Sequence, residues 1–245
     1  MLLLYRIYQI FIMVPVLLVV TILAALLTIV GSMLGAQRSL GYWPGHIWAR
    51  IFCAMSFVRV RVRGRSNISK GTSYVFVANH QGAYDIFAIY GYLNHNFRWM
   101  MKKALEKIPF VGYSCRVSGH IYVDNSTPSA VARTMADAER QLSHGMSVVV
   151  FPEGARSRDG RMHSFRRGAF KLATEFSLPV VPITIDGAYR VMRRGSILPH
   201  WGTINLTIHQ PIEPSAETGR HELTELLERS EQAIASALPE NQRPR

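Results

Sequence analysis

Asn79-His80-Gln81-Gly82-Ala83-Tyr84-Asp85 and Phe151-Pro152-Glu153-Gly154-Ala155-Arg156-Ser157 are two short polar motifs, each set directly behind an apolar, strand-like run. The first offers a base, His80, and an acid, Asp85, to orient it. Histidine is the side chain whose ordinary range leaves a neutral base at pH 7. His80 can therefore take a proton from an alcohol while Asp85 holds the other ring N–H and steadies the imidazolium. A turn leading into a helix brings two such residues together. Gly82 occupies the middle of the motif, and no Ser or Cys there could form a covalent intermediate, which favours direct attack by a substrate hydroxyl. In the second motif Gly154 can bring backbone N–H groups close to a ligand, and Arg156 can make a bidentate contact to a phosphate. Taken singly, each motif is commonplace, since a lone His is more often a loop residue and an Arg after a strand a surface charge. Their shared address is the stronger signal, because open α/β sheets bind ligands beyond the carboxyl ends of their strands.

The elements that must position these residues follow from periodicity. Val58, Val60 and Val62 alternate with Arg59, Arg61 and Arg63, the rhythm of a half-buried strand. Apolar runs at 74–78, 121–123, 147–151, 180–185 and 204–208 predict further strands. Between them, 128–144 places Val131, Met135, Ala138 and Leu142 on one helical face, with Thr127 as cap, Pro128 in the first turn and Gly145 to end it. Residues 166–176 and a C-terminal segment marked by Leu223, Leu226, Leu227 and Ile234 predict two more helices. Alternating strands and helices imply an α/β fold, a mostly parallel sheet flanked by helices, over residues 57–238. Residues 239–245 read as a frayed, flexible tail.

Ahead of this domain, no charged residue occurs from Ile7 to Gln37, and 10–33 is almost wholly aliphatic. As a helix those residues would reach about 36 Å, enough for a hydrocarbon core of about 30 Å. The run is too long for the apolar centre of a signal peptide. A weaker apolar segment at 42–58 carries Trp43, His46, Trp48 and Arg50, which favour the headgroup zone. Residues 1–56 are thus expected to be membrane-embedded, either as a helical hairpin dipped into one leaflet or as one spanning helix followed by an interfacial one. Arg6 alone precedes the anchor, whereas Arg38, Arg50, Arg59, Arg61, Arg63 and Arg65 follow it, which puts the main domain on the cytoplasmic side. The excess of 28 Lys+Arg over 16 Asp+Glu gives a net charge of +12 and suits an anionic partner such as a bilayer with anionic lipid. The basic residues adjoin the anchor and no nucleic-acid motif accompanies them, so nucleic acid is not an expected partner. Cys53 and Cys115 have neither disulfide-framework nor zinc-ligand spacing, and no metal is expected.

The two motifs together resemble those of the glycerolipid acyltransferases, most closely the 1-acyl-glycerol-3-phosphate acyltransferases. Lys102-Lys103-Ala104-Leu105 leading to Ile108-Pro109-Phe110-Val111-Gly112, and Val181-Pro182-Ile183, are also similar to segments of that family. The resemblance covers about 74–185 and implies an integral membrane enzyme of a cell inner membrane. Such an enzyme moves a fatty acyl chain from acyl-CoA or acyl-carrier protein to a lysophospholipid acceptor, forming phosphatidic acid, without a cofactor. It implies His80 and Asp85 as catalytic residues, and Glu153, Gly154, Arg156, Ser157, Lys102, Lys103 and Pro182 as substrate-binding ones. Two positions depart from the family pattern. Asn125 stands where the block from Gly119 usually ends in arginine, and Gly82 where a serine is common. The missing arginine removes one phosphate-binding cation, for which Lys102, Lys103 or Arg116 could compensate. The remaining alternatives are acyl transfer to another lyso-lipid or an amino-acid lipid, and a non-catalytic protein that binds anionic lipid.

Overall fold

Leu2–Tyr8 (α1), a π-helical turn at Gln9–Met13 and Val14–Met33 (α2) run on as one apolar helix in the computed structural model of the protein, which describes residues 1–124, 126–143, 145–214 and 220–244. At 1.5 Å per residue the 32 residues of Leu2–Met33 reach about 48 Å. The wide turn lies just ahead of Pro15, whose ring would otherwise press on the carbonyl of Phe11, so the helix continues through the proline. The helix also starts earlier than its uncharged stretch implies, because its first turns dock on the domain. The Tyr5 hydroxyl donates to the Ser56 carbonyl (2.9 Å), and Arg6 and Gln9 donate to the Pro199 carbonyl (3.1 and 2.8 Å). Its other end, at the short helix Gln37–Leu40 (α3), is tied down as well. Gln37 Nε2 donates to Val117 O (2.7 Å), Asn96 Nδ2 to Arg38 O (2.6 Å) and Arg98 to Gln37 O (3.0 Å). Among the described residues this is the one helix long and apolar enough to cross a membrane, and Leu3, Phe11, Leu18, Leu27 and Met33 stay exposed along it.

The chain then returns as Trp43–Met55 (α4), packed on α2. The sequence placed this segment with a separate membrane unit ending at residue 56. The structure draws no boundary there: Tyr42, Ala49 and Cys53 belong to the same buried cluster as Phe76, Val149 and Val181 of the sheet. Its buried face is part of the core, and its exposed side carries Trp43, Ile47 and Arg50.

After α4 come β1 (Val58–Arg63), β2 (Val75–Ala78), α5 (Tyr84–Tyr92), β3 (Phe97–Lys102), α6 (Val111–Val117), β4 (Ile121–Val123) and α7 (Pro128–Ser143). They are followed by β5 (Ser147–Val150), α8 (Gly168–Glu175), β6 (Val180–Asp186), α9 (Ala188–Met192), β7 (Gly202–Ile208) and α10 (Arg220–Ser236). The seven strands form one sheet in the order β1-β7-β6-β2-β5-β3-β4, parallel at every pairing except β6 with β7. Alternate residues divide between two cores. Phe76 and Ala78 pack with Ala49, Ala88 and Ala188 on one face, while Val75 and Val77 pack with Ala138, Phe170, Leu172 and Leu226 on the other. Thr127 caps α7 by accepting the Ala130 N–H (3.1 Å), although the buried face of that helix is Ala130, Thr134, Ala138 and Leu142, and Val131 is exposed. His144 and Asn125 lie outside the described residues.

Strand β3 has no counterpart in the sequence-based expectation, because it carries a fully buried arginine. Arg98 donates through its Nη groups to Asn96 Oδ1, Phe97 O and Gln37 O, carbonyl oxygens rather than a carboxylate, while its Nε has no partner among the described residues. The expected tail is also corrected. Glu240–Gln242 forms a 3₁₀ turn that docks on the domain: Gln242 is buried, its carbonyl accepts the Met162 N–H (2.9 Å), and its amide bonds to Gln81 and to Asp186 (3.1 Å). A polar, proline-flanked end gave no sign of these partners, which lie far away along the chain.

Candidate active site

Strands β2 and β5 are parallel neighbours in register, with Val77 opposite Val150. Their carboxyl ends therefore release the two polar motifs side by side. Asn79 extends the junction with β6, its side chain accepting the Ile185 N–H and donating to the Ile185 carbonyl (both 2.8 Å). The chain then turns, and α5 begins at Tyr84.

Within this turn Asp85 is completely buried, and its Oδ2 gathers three donors: His80 Nδ1–H (2.7 Å), the Gln81 N–H (2.7 Å) and the Gly82 N–H (2.8 Å). The bond to His80 fixes the imidazole as the tautomer with hydrogen on Nδ1, and the two backbone donors fix the carboxylate that holds it. Nε2 is left with its lone pair and no partner among the described residues, on a side chain 14 % exposed. The ring lies flat on Phe151 (centroids 4.0 Å apart, planes at 10°), and Phe151 in turn stacks on Trp99 (5.5 Å). Base, orienting acid and a hydrophobic backing are all in place.

The second motif binds the first. Glu153 is buried, with Oε1 accepting the His80 N–H (2.7 Å) and Oε2 the His163 N–H (3.1 Å), and the Ser157 N–H donates to the His80 carbonyl (2.8 Å). Burial pushes the Glu153 carboxyl up to about 8 against the pull of those two N–H donors. Ser157 Oγ is spent within its own loop, on Asp159 and the Gly160 N–H. Glu153 and Ser157, both expected to touch substrate, thus make their polar contacts to the protein, clamping the backbone on either side of His80. Gly154 has φ +75°, as the turn requires, and its N–H bonds Phe151 O. Arg156 is half-buried and has no acceptor or carboxylate partner among the described residues, and the N–H groups of Ala155 and Arg156 are also without acceptors there.

The remaining predicted residues scatter more widely. Lys102 and Lys103 end β3 on the same sheet edge as His80, but Lys103 pairs with Asp124 (2.8 Å), and Arg116 pairs with Glu106. Lys102 is exposed and unpaired among the described residues. Pro182 is buried in mid-strand opposite Val77, its carbonyl accepting the His209 N–H (3.0 Å), so it lies inside the sheet. The absent serine at Gly82 has a local cause: a Cβ there would fall 2.5 Å from the Ala188 carbonyl oxygen and 2.7 Å from that of Met192. Sequence reasoning missed Tyr84, whose hydroxyl bonds Ser56 Oγ and so joins the motif to the junction where Tyr5 of the apolar helix docks.

Residues 59–186 match a family model described as Acyltransferase. The chain is 34 % identical over 182 residues to the chloroplastic 1-acyl-sn-glycerol-3-phosphate acyltransferase LPAT1 of Arabidopsis thaliana, covering 73 % of this chain and 50 % of that one. It is 33 % identical over 130 residues to the human 1-acyl-sn-glycerol-3-phosphate acyltransferase alpha, covering 53 % of this chain and 46 % of that one. The chain spans about half the length of these curated relatives. The crystal structure of PlsC, the 1-acyl-sn-glycerophosphate (LPA) acyltransferase of Thermotoga maritima, superposes with a TM-score of 0.76 at 26 % identity, over 96 % of each chain.

Proposed function

The chain belongs to the acyltransferase family, and on that premise we propose that it transfers a fatty acyl group from a thioester, acyl-CoA or acyl-carrier protein, to the free hydroxyl of 1-acyl-glycerol-3-phosphate, forming phosphatidic acid. The observation that carries this reading is His80, fixed by Asp85 with Nε2 unpartnered among the described residues, on a turn bonded to the loop that carries Arg156. His80 Nε2 takes the proton of the acceptor hydroxyl as its oxygen attacks the thioester carbonyl. The tetrahedral oxyanion is met by the free N–H groups of Ala155 and Arg156. Collapse breaks the C–S bond, and the departing thiolate takes the proton back from His80, so the base is restored and no covalent enzyme intermediate forms. Asp85 stabilises the transient imidazolium, Arg156 binds the acceptor phosphate, and Glu153 and Ser157 position His80 through its backbone. No metal or redox group has a part in these steps.

The docked ends of the apolar helix support the hairpin in one leaflet over the spanning alternative. A helix whose two ends are both bonded to one domain lies along that domain, and its exposed face enters the bilayer from one side. The domain then sits on the cytoplasmic surface, within reach of a soluble thioester and a membrane-borne acceptor. Purified full-length protein assayed with both donors against lysophosphatidic acid, other lysophospholipids and an amino-acid lyso-lipid tests the reading. Transfer to lysophosphatidic acid above the rest is expected. Preference for another acceptor, or vesicle binding without any transfer, overturns it.

A further inference from the structure

We propose that Arg166 is a second guanidinium of the acceptor-phosphate site, working with Arg156 across the turn at Gly154; this rests on the phosphate-bearing acceptor proposed above. The loop after Arg156 doubles back onto its own start. The His163 N–H reaches Glu153, and the Arg166 N–H donates to the Pro152 carbonyl (3.0 Å). Phe165 is buried between them, with its N–H on Glu231 Oε1 (2.6 Å), so the backbone at Arg166 is held from both sides.

This return path lays the guanidinium on the Cα of Gly154. A Cβ at that glycine would meet Arg166 Cζ at 2.9 Å, Nε at 3.1 Å and Nη1 at 3.2 Å. Any other residue at 154 would push the group off its seat, beyond the strain of its own positive φ. The Arg166 side chain nonetheless has no hydrogen-bond or ion-pair partner among the described residues. Arg116, Arg140, Arg190 and Arg229 each hold a carboxylate, whereas Arg166 and Arg156, like several other exposed arginines, have none among the described residues. The carboxylates of this loop are engaged elsewhere: Glu153 is turned inward to two backbone donors, and Asp159 accepts from Ser157 Oγ and the Arg161 N–H. With one guanidinium seated on Gly154 and a second carried two residues further along the turn, a phosphate monoester, with its charge of about −1.5 to −2 and three acceptor oxygens, could take both. Arg166 also supplies a cation where Asn125 replaces the arginine expected from the family pattern.

The test compares full-length wild type, Arg166→Ala, Arg166→Lys and Arg156→Ala on lysophosphatidic acid and on monoacylglycerol, which has the same hydroxyl and no phosphate. Arg166→Ala is expected to raise the KM for lysophosphatidic acid about ten- to hundredfold, the range for losing a charge-assisted contact. It should lower the preference for that acceptor over monoacylglycerol by the same factor and leave the donor KM alone, with Arg166→Lys in between. An unchanged acceptor KM overturns the role of Arg166 while the functional reading stands. Equal losses on both acceptors, with a lowered melting temperature, also overturn it by showing a structural role. A wild-type protein inactive on lysophosphatidic acid removes the underlying reading itself.

Discussion

From Asn79 to Asp85 most polar side chains make hydrogen bonds inside the protein, whereas the cations at 156 and 166 have no partner among the described residues. Asp85 holds three donors, Glu153 grips the His80 backbone, and Asn79 splices the turn to β6. The arginines project from a loop whose backbone and other side chains are already bonded to the protein. The difference separates two tasks. A general base works through a geometry that must exist before substrate arrives, so its neighbours are protein groups. A phosphate ligand works by exchanging water for an anion, and a carboxylate already bound to it would compete.

Removing the base breaks the first half outright. His80→Ala is expected to lower kcat by about 10² to 10⁴ while the protein remains folded, and Asp85→Asn should be severely impaired because it disturbs the tautomer. Circular dichroism beside a turnover assay checks both, and near-normal turnover in folded His80→Ala would sink the mechanism. Glu153→Gln probes the clamp behind the base. The amide keeps one acceptor oxygen but sets an NH₂ group against a backbone N–H, for a cost of about 1 to 3 kcal/mol in stability. It should depress kcat more than acceptor KM. A rise in KM alone would move Glu153 across to the phosphate side of the comparison.

The smallest expected effect sharpens the contrast away from catalysis. His120 is buried, accepts the Trp99 N–H at Nδ1 (3.1 Å), and has its pKa lowered to about 3 by burial and then by Arg98. In the unfolded chain it binds a proton below about pH 6.5. Its contribution to stability is therefore intact above that pH and is lost as pH falls toward 3, at up to about 1.4 kcal/mol per pH unit. Denaturant midpoints between pH 7 and pH 4 should fall more steeply for wild type than for His120→Gln, and parallel slopes would refute the assignment.

The α/β architecture, the apolar N-terminal helix and the adjacency of the two motifs were legible because each rests on local pattern, an alternation, a long uncharged run, or a polar turn after an apolar strand. What escaped depends on distant partners. Strand β3 was hidden by Arg98, a charge that reads as surface until the carbonyls of Gln37 and Phe97 are seen around it. Glu153 looked like a ligand because its two N–H donors come from the other motif and from a later loop. Arg166 was taken only as the start of a helix, since nothing in its own segment says that the chain folds back over Gly154. The antiparallel β7 likewise leaves no mark in the composition of its strand.

The contact between Gln81 and Gln242, 161 positions apart, sets an order of events during synthesis. The apolar helix, which precedes the sheet in the chain, is made before the residues that surround His80. The residue after His80 gains its last brace only when position 242 has emerged. The turn that carries the base is therefore completed only late in synthesis, by a residue 161 positions further along the chain.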